Sequence, residues 1–135
     1  MADRQYAKKL GRLGEKIALK YLRQNGYKFL FKNFSLRGGE LDLIMSNQGK
    51  IIFFEIKTRR PASTDLAHIP KFGLPDEQIS WHQRITLIHA ARAYLHLHNL
   101  SHSPWQFDLI SINLELRGDN FPKAKITHLQ NIFTE

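Results

Sequence analysis

The sequence predicts an α/β layered domain, a mixed sheet of about five strands flanked by helices in the order αβββαββ. Three observations lead there. Apolar residues recur at helical spacing in two well-separated segments, three strand-like segments lie between them, and two more follow the second. The chain has 135 residues, 42% of them hydrophobic, which suits one domain over 1–135 with a core of its own.

The first helix is expected from Tyr6 to Asn25. Tyr6, Leu10, Leu13, Ile17 and Tyr21 recur at steps of three and four, and Gly26 supplies a stop. Tyr27 to Ser35 is aromatic-rich and reads as a strand. Glu40 to Met45 and Ile51 to Thr58 read as two more, joined by the turn residues Asn47, Gln48 and Gly49, so an antiparallel meander is expected. Three of the five prolines fall in residues 60–78, where periodicity vanishes; a long, mobile surface loop is expected over 60–79. Ser80 is placed to cap a second helix running to about Asn99, with Ile85, Ile88, Ala91, Tyr94 and Leu95 on its buried side. Trp105 to Leu114 and Lys123 to Gln130 read as the last strands, separated by Arg117, Gly118, Asp119 and Asn120. Repeats and low-complexity segments are absent.

Twenty Lys and Arg against twelve Asp and Glu give a net charge of +8, with a pI near 9.9, which favours a polyanionic partner, nucleic acid first. The plainer alternative is a soluble protein with surplus lysine. Without cysteine, disulfides, thiolate metal sites and a cysteine nucleophile are excluded. The N-terminal segment has no apolar signal-peptide core, and no run approaches the ~18 apolar residues of a membrane span, so a cytoplasmic protein is the default expectation.

The chemistry concentrates in GGELDLIMSNQGKIIFFEIK, residues 38–57. Alternation would put Glu40, Asp42 and Ile44 on one face of their strand and Phe53, Glu55 and Lys57 on one face of the next. A turn centred between Gln48 and Gly49 would set Asp42 opposite Glu55 and Glu40 opposite Lys57. Opposed carboxylates repel unless one is protonated or a cation lies between them, and oxygen donors of this kind suit Mg2+ or Mn2+. Lys57 would project to the same side, where an ammonium could orient water or stabilise charge on a phosphate oxygen. Spacing leaves a second reading equally open: a polar sheet face on which Lys57 pairs with Glu40 and Glu55.

GELDLI (39–44) with FFEIKTR (53–59) resembles the D…ExK signature of the PD-(D/E)xK nuclease superfamily, with Asp42, Glu55 and Lys57 in the signature positions. A wider set of segments is similar to the YraN family of small bacterial proteins: GRLGEKIALKYL (11–22), NGYKFLFKNF (25–34), GGELDLI (38–44), FFEIKTR, AARAYL (90–95) and QFDLISI (106–112). That family is assigned a fold like the Holliday-junction resolvases. The resemblance therefore implies a restriction-endonuclease-like domain and a metal-dependent endonuclease acting on DNA, branched or otherwise structured. Asp42, Glu55 and Lys57 would be catalytic, and Glu15, Asp42 and Glu55 would hold Mg2+ or Mn2+. A homodimer follows by analogy with resolvases that act on symmetric junctions. The alternative is a nucleic-acid-binding protein that keeps the nuclease fold without turnover.

Lys8, Arg12, Lys16 and Lys20 stand at successive i+4 positions, a stripe whose mutual repulsion a phosphate backbone would relieve. A solvated lysine face is the commoner fate of such a stripe. With Arg59 and Arg60 these are the candidate nucleic-acid contacts. Glu15 lies beside the stripe among the small residues Gly11, Gly14 and Ala18, and its metal role comes from the resemblance alone. His82, His89 and His96 are too far apart along a helix, about 10.5 Å per step, to share one ion. They are expected to form a partly exposed polar face; His98 and His102 are four apart near the end of the same helix. Trp81 and Phe72 could stack on unpaired bases, against the commoner roles of core packing or incidental exposure. Two positions depart from the family pattern by losing positive charge: Gln83 replaces a lysine, and Gln106 replaces an arginine.

Overall fold

The computed structural model describes residues 2–60, 79–115 and 123–133. The expected order forms. Helix α1 (Ala2–Gln24) precedes the strands β1 (Lys28–Leu36), β2 (Gly39–Asn47) and β3 (Lys50–Arg59); α2 (Trp81–Leu97) leads to β4 (Trp105–Glu115) and β5 (Lys123–Leu129). The sheet runs β1-β2-β3-β4-β5. Only the β3–β4 pairing is parallel; the other three are antiparallel. The expected turn residues 117–120, Phe72 and all of the expected loop except Ile79 and Arg60 lie outside the described residues.

Both faces of the central strands are covered, with one core on each side. Residues of β3 alternate between the two cores. Ile51 and Phe53 join Leu41, Ile44, Phe107 and the buried side of α2, while Ile52 and Phe54 join Leu43, Met45, Ile110, Ile112 and α1. Full burial of a side chain such as Phe53 or Phe54 contributes about 2–3 kcal/mol, so this strand anchors the fold from both sides.

The helices end as their residues dictate, but their buried faces are rotated from the expected ones. In α1 the most buried residues are Ala18 and Leu22, whereas Leu13 is 38% exposed. The cause is Gly14. A methyl group there would meet the Thr58 side chain, with Thr58 Cβ at 2.8 Å, so contact with the sheet runs through the small residues and the larger ones flank it. In α2 the buried set is Leu87, Ala90, Ala91, Tyr94 and Leu95; Ile85 is 49% exposed and Ile88 is half-buried. Close approach again decides, because a Cβ on Gly39 would lie 2.9 Å from the Thr86 carbonyl oxygen. Ser80 caps α2 as expected, its side chain accepting from the Gln83 N–H at 3.0 Å.

The β2–β3 turn has Gln48 at φ 51° and Gly49 at φ 79°, the left-handed pair that a two-residue hairpin needs. Its register, Asn47 with Lys50 through Leu43 with Phe54, is the one expected from the sequence.

Candidate functional site

The ladder between β2 and β3 stops at Leu43 and Phe54, and the candidate site begins at the next residue of each strand. Here the expected alternation fails. Leu41 packs with Ile44 on the α2 side, whereas Leu43 and Met45 pack on the α1 side, so the pleat breaks at Asp42. Asn33 of β1, between the paired residues Lys32 and Phe34, has φ 55°. Glu40, Asp42 and Ile44 therefore do not share one face, and the expected Glu40–Lys57 and Asp42–Glu55 ladder pairs are absent. Instead the Ile56 N–H donates to Asp42 Oδ2 at 2.8 Å, which satisfies a backbone donor left free where the strands diverge.

Glu55 is only 7% exposed. Lys57 Nζ lies 3.2 Å from its Oε1, and the Gln83 amide nitrogen donates to the same oxygen at 3.4 Å. The Asp42 and Glu55 carboxyls lie near enough for each to perturb the ionisation of the other. Burial raises Asp42 from its ordinary 3.8 to about 8; the Glu55 charge adds to this, the Ile56 N–H opposes it, and Glu40 and Glu15 add further. Burial raises Glu55 too, against the ammonium and hydrogen bond of Lys57. At neutral pH the pair holds a proton, and both members are hard oxygen donors. That donor set fits a divalent cation such as Mg2+ or Mn2+, which would displace the proton.

Glu15 faces the same region from α1. Oriented by its hydrogen-bonding surroundings, the Asn33 amide nitrogen donates to Glu40 Oε1 at 3.2 Å and Glu15 Oε1 at 3.3 Å. Burial raises Glu15, as does Glu40, with Lys32 opposing. Asp42 thus feels Glu15 and Glu40, but among the described residues no three His, Asp or Glu side chains stand close enough together to hold an ion. Of the expected ligands, Glu55 acts on Asp42 more strongly than Glu15 does.

Lys8, Arg12, Lys16 and Lys20 are all exposed along α1, Arg59 is half-buried at the end of β3, and Arg60 beyond it is exposed. His82, His89 and His96 are exposed as expected, and so are His98 and His102. Of the two departures from the family pattern, Gln83 belongs to the site. Gln106 does not: it accepts from Lys50 Nζ at 3.0 Å and donates to Asp108 at 2.8 Å.

Sequence reasoning missed Asn33 and Glu40 as site members, and it missed Asp108. Asp108 is fully buried and accepts from Gln106, from the Asn131 N–H at 2.9 Å, and contacts His128 Nε2 at 2.8 Å. One signal was available in the apolar run FDLISI, where a lone carboxylate must find partners.

Residues 14–112 match the model of "Uncharacterised protein family UPF0102", the YraN family. A UPF0102 protein of Caldanaerobacter subterraneus is 35% identical over 93% of this chain and 95% of its own length. One of Clostridioides difficile is 36% identical over 93% and 97%, and one of Syntrophomonas wolfei 38% identical over 93% and 98%. No described helix is long and apolar enough to cross a membrane.

Proposed function

The chain belongs to the UPF0102 family, and from that premise we propose that it is a metal-dependent endonuclease-like protein acting on DNA, branched or otherwise structured. One observation carries the reading: the carboxyls of Asp42 and the buried Glu55, with Lys57 Nζ 3.2 Å from Glu55, sit where two strands part. A carboxylate pair this costly to ionise is a liability in a purely structural sheet and an asset in a site that takes up a cation.

In this reading Asp42 and Glu55 hold the Mg2+ or Mn2+, with Glu15 as a further ligand approaching from α1. The ion would polarise a phosphoryl oxygen and favour deprotonation of an attacking water. Lys57, 30% exposed at its side chain, stabilises charge on a non-bridging phosphate oxygen or orients that water. Gln83 steadies Glu55 from α2. The exposed cations of α1, with Arg59 and Arg60, draw the phosphate backbone toward the site, and a symmetric junction would be met by a homodimer.

The test is cleavage of linear, flapped and four-way-junction DNA with Mg2+ or Mn2+ by the native protein, Asp42→Ala and Lys57→Ala. Cleavage by the native protein and its loss in both variants is expected. Equal residual cleavage by all three would mean a contaminating nuclease and sink the catalytic reading.

A second reading is a nucleic-acid-binding protein of the same fold without turnover. What favours it is the lack of a ready-made group of three metal-binding side chains among the described residues. Metal-independent binding with a steep salt dependence and no cleavage is its signature.

A further inference from the structure

We propose that Asn33 is a positioning residue of the carboxylate site. Its left-handed backbone turns Asp42 out of the pleat, and its amide ties Glu40 of β2 to Glu15 of α1, so that both are presented to a cation held by Asp42 and Glu55. The inference rests on the metal reading above and names the residue that organises that site.

The backbone comes first. Of the five described non-glycine residues with positive φ, Arg37, Gln48, Asn99 and Asn131 lie outside the strands, and only Asn33 lies within one. Asn33 and Asp42 stand across from each other, between the paired residues Lys32–Leu43 and Phe34–Leu41. Both strands break their pleat at this level. Phe31 and Phe34 both pack on Tyr94 of α2, with ring centres 6.2 and 5.4 Å away, although residues three apart on a regular strand point to opposite faces. Leu41 and Leu43, two apart, pack on opposite faces instead of one. The paired break is what lets Asp42 leave the sheet and accept from the Ile56 N–H at 2.8 Å.

The side chain uses the same break. Tolerance of φ 55° alone would explain an asparagine, but it would not direct the amide anywhere. Here the amide nitrogen lies 3.2 Å from Glu40 Oε1 and 3.3 Å from Glu15 Oε1, bridging two elements of the fold. Both glutamates act electrostatically on Asp42. A neutral amide holds two carboxylates in place without cancelling their charge, whereas an ammonium at that point would compete with a metal ion for the same oxygens. Long side chains held in advance also lose less freedom when the ion arrives.

The test is Mn2+ binding by calorimetry, without DNA, on the native protein, Asn33→Gly, Glu40→Gln, the double variant and Gln48→Gly. Glycine keeps the left-handed backbone and removes only the amide, so the urea midpoint of Asn33→Gly should stay near the native one. Its Mn2+ affinity should nevertheless fall roughly ten-fold. Glu40→Gln, on an exposed residue, should also weaken binding, and the double variant should lose less than the product of the two factors because both changes break one contact. Gln48→Gly, at the left-handed position of the hairpin turn, should bind as the native protein does. Native Mn2+ affinity in Asn33→Gly overturns the inference and leaves the proposed function standing. So does an equal loss in Gln48→Gly, or a double variant whose loss equals the product. Absence of Mn2+ binding by the native protein overturns the inference and the metal reading together.

Discussion

Replacing Asp42 by Asn should stabilise this protein at neutral pH, and the size of the effect follows from the buried carboxyl pair. Asp42 keeps its proton in the folded protein to about pH 8 and loses it near 3.8 when unfolded. Between those values the folded state binds the extra proton, so stability is greatest below pH 3.8, falls by up to about 1.4 kcal/mol per pH unit, and levels off above about 8. At pH 7 the accumulated loss is about 4 kcal/mol, lowered toward about 2 by water reaching the half-buried group. Asn stays neutral at every pH. Its oxygen can accept from the Ile56 N–H, and its amide nitrogen supplies a donor toward the neighbouring Glu55 carboxyl without adding charge. Asp42→Asn should therefore gain about 2–4 kcal/mol at pH 7, or roughly 8–15 °C in Tm for a chain of this size. The assay is thermal and urea unfolding from pH 3.5 to 9 in EDTA. The two proteins should converge at the acid end and separate as pH rises. Parallel curves, or a less stable Asn variant at pH 7, would refute the claim that Asp42 is held protonated by burial and by Glu55.

Three further outcomes can be checked independently. Gly14→Ala should cost about 1–3 kcal/mol in urea unfolding because its methyl meets Thr58, whereas Gly11→Ala, with nothing within 4 Å, should gain about 0.5–1 kcal/mol from helix propensity. Asp108→Ala should lose about 3 kcal/mol or more, since it strands Gln106, His128 and the Asn131 N–H, and it should alter Trp105 emission by loosening the segment beside β4. Lys57→Met removes the cation that opposes Glu55's upward shift, so protons should compete better with Mn2+ in calorimetry below pH 7, and any junction cleavage should fall by about 10²- to 10³-fold.

Much of the fold could be read locally. Helical spacing, the Ser80 cap and the Gln48–Gly49 turn each act within a few residues, and all appear where the sequence puts them. The hairpin register followed from the same turn and held as far as Leu43 and Phe54. What failed was the extrapolation beyond that point. Alternation assumes an unbroken pleat, and the pleat breaks at Asp42. The helix faces were misjudged for a related reason: large apolar residues suggested Leu13 and Ile85, but the closest contact is made by Gly14 against Thr58 and Thr86 against Gly39.

The sequence by itself determined the element order, the hairpin register and the presence of two acids and a lysine near one another, because these depend on short-range pattern and on chain reversal at one turn. Only the tertiary structure decided which groups meet. It set Asp42 beside Glu55 and bonded it to Ile56 through divergence of the strands rather than through a ladder pair, brought Gln83 and Asn33 to the acids, and left Glu15 at the margin. Burial does the rest, since the pH at which Asp42 ionises depends on how much water and how many neighbouring charges the whole fold leaves around it.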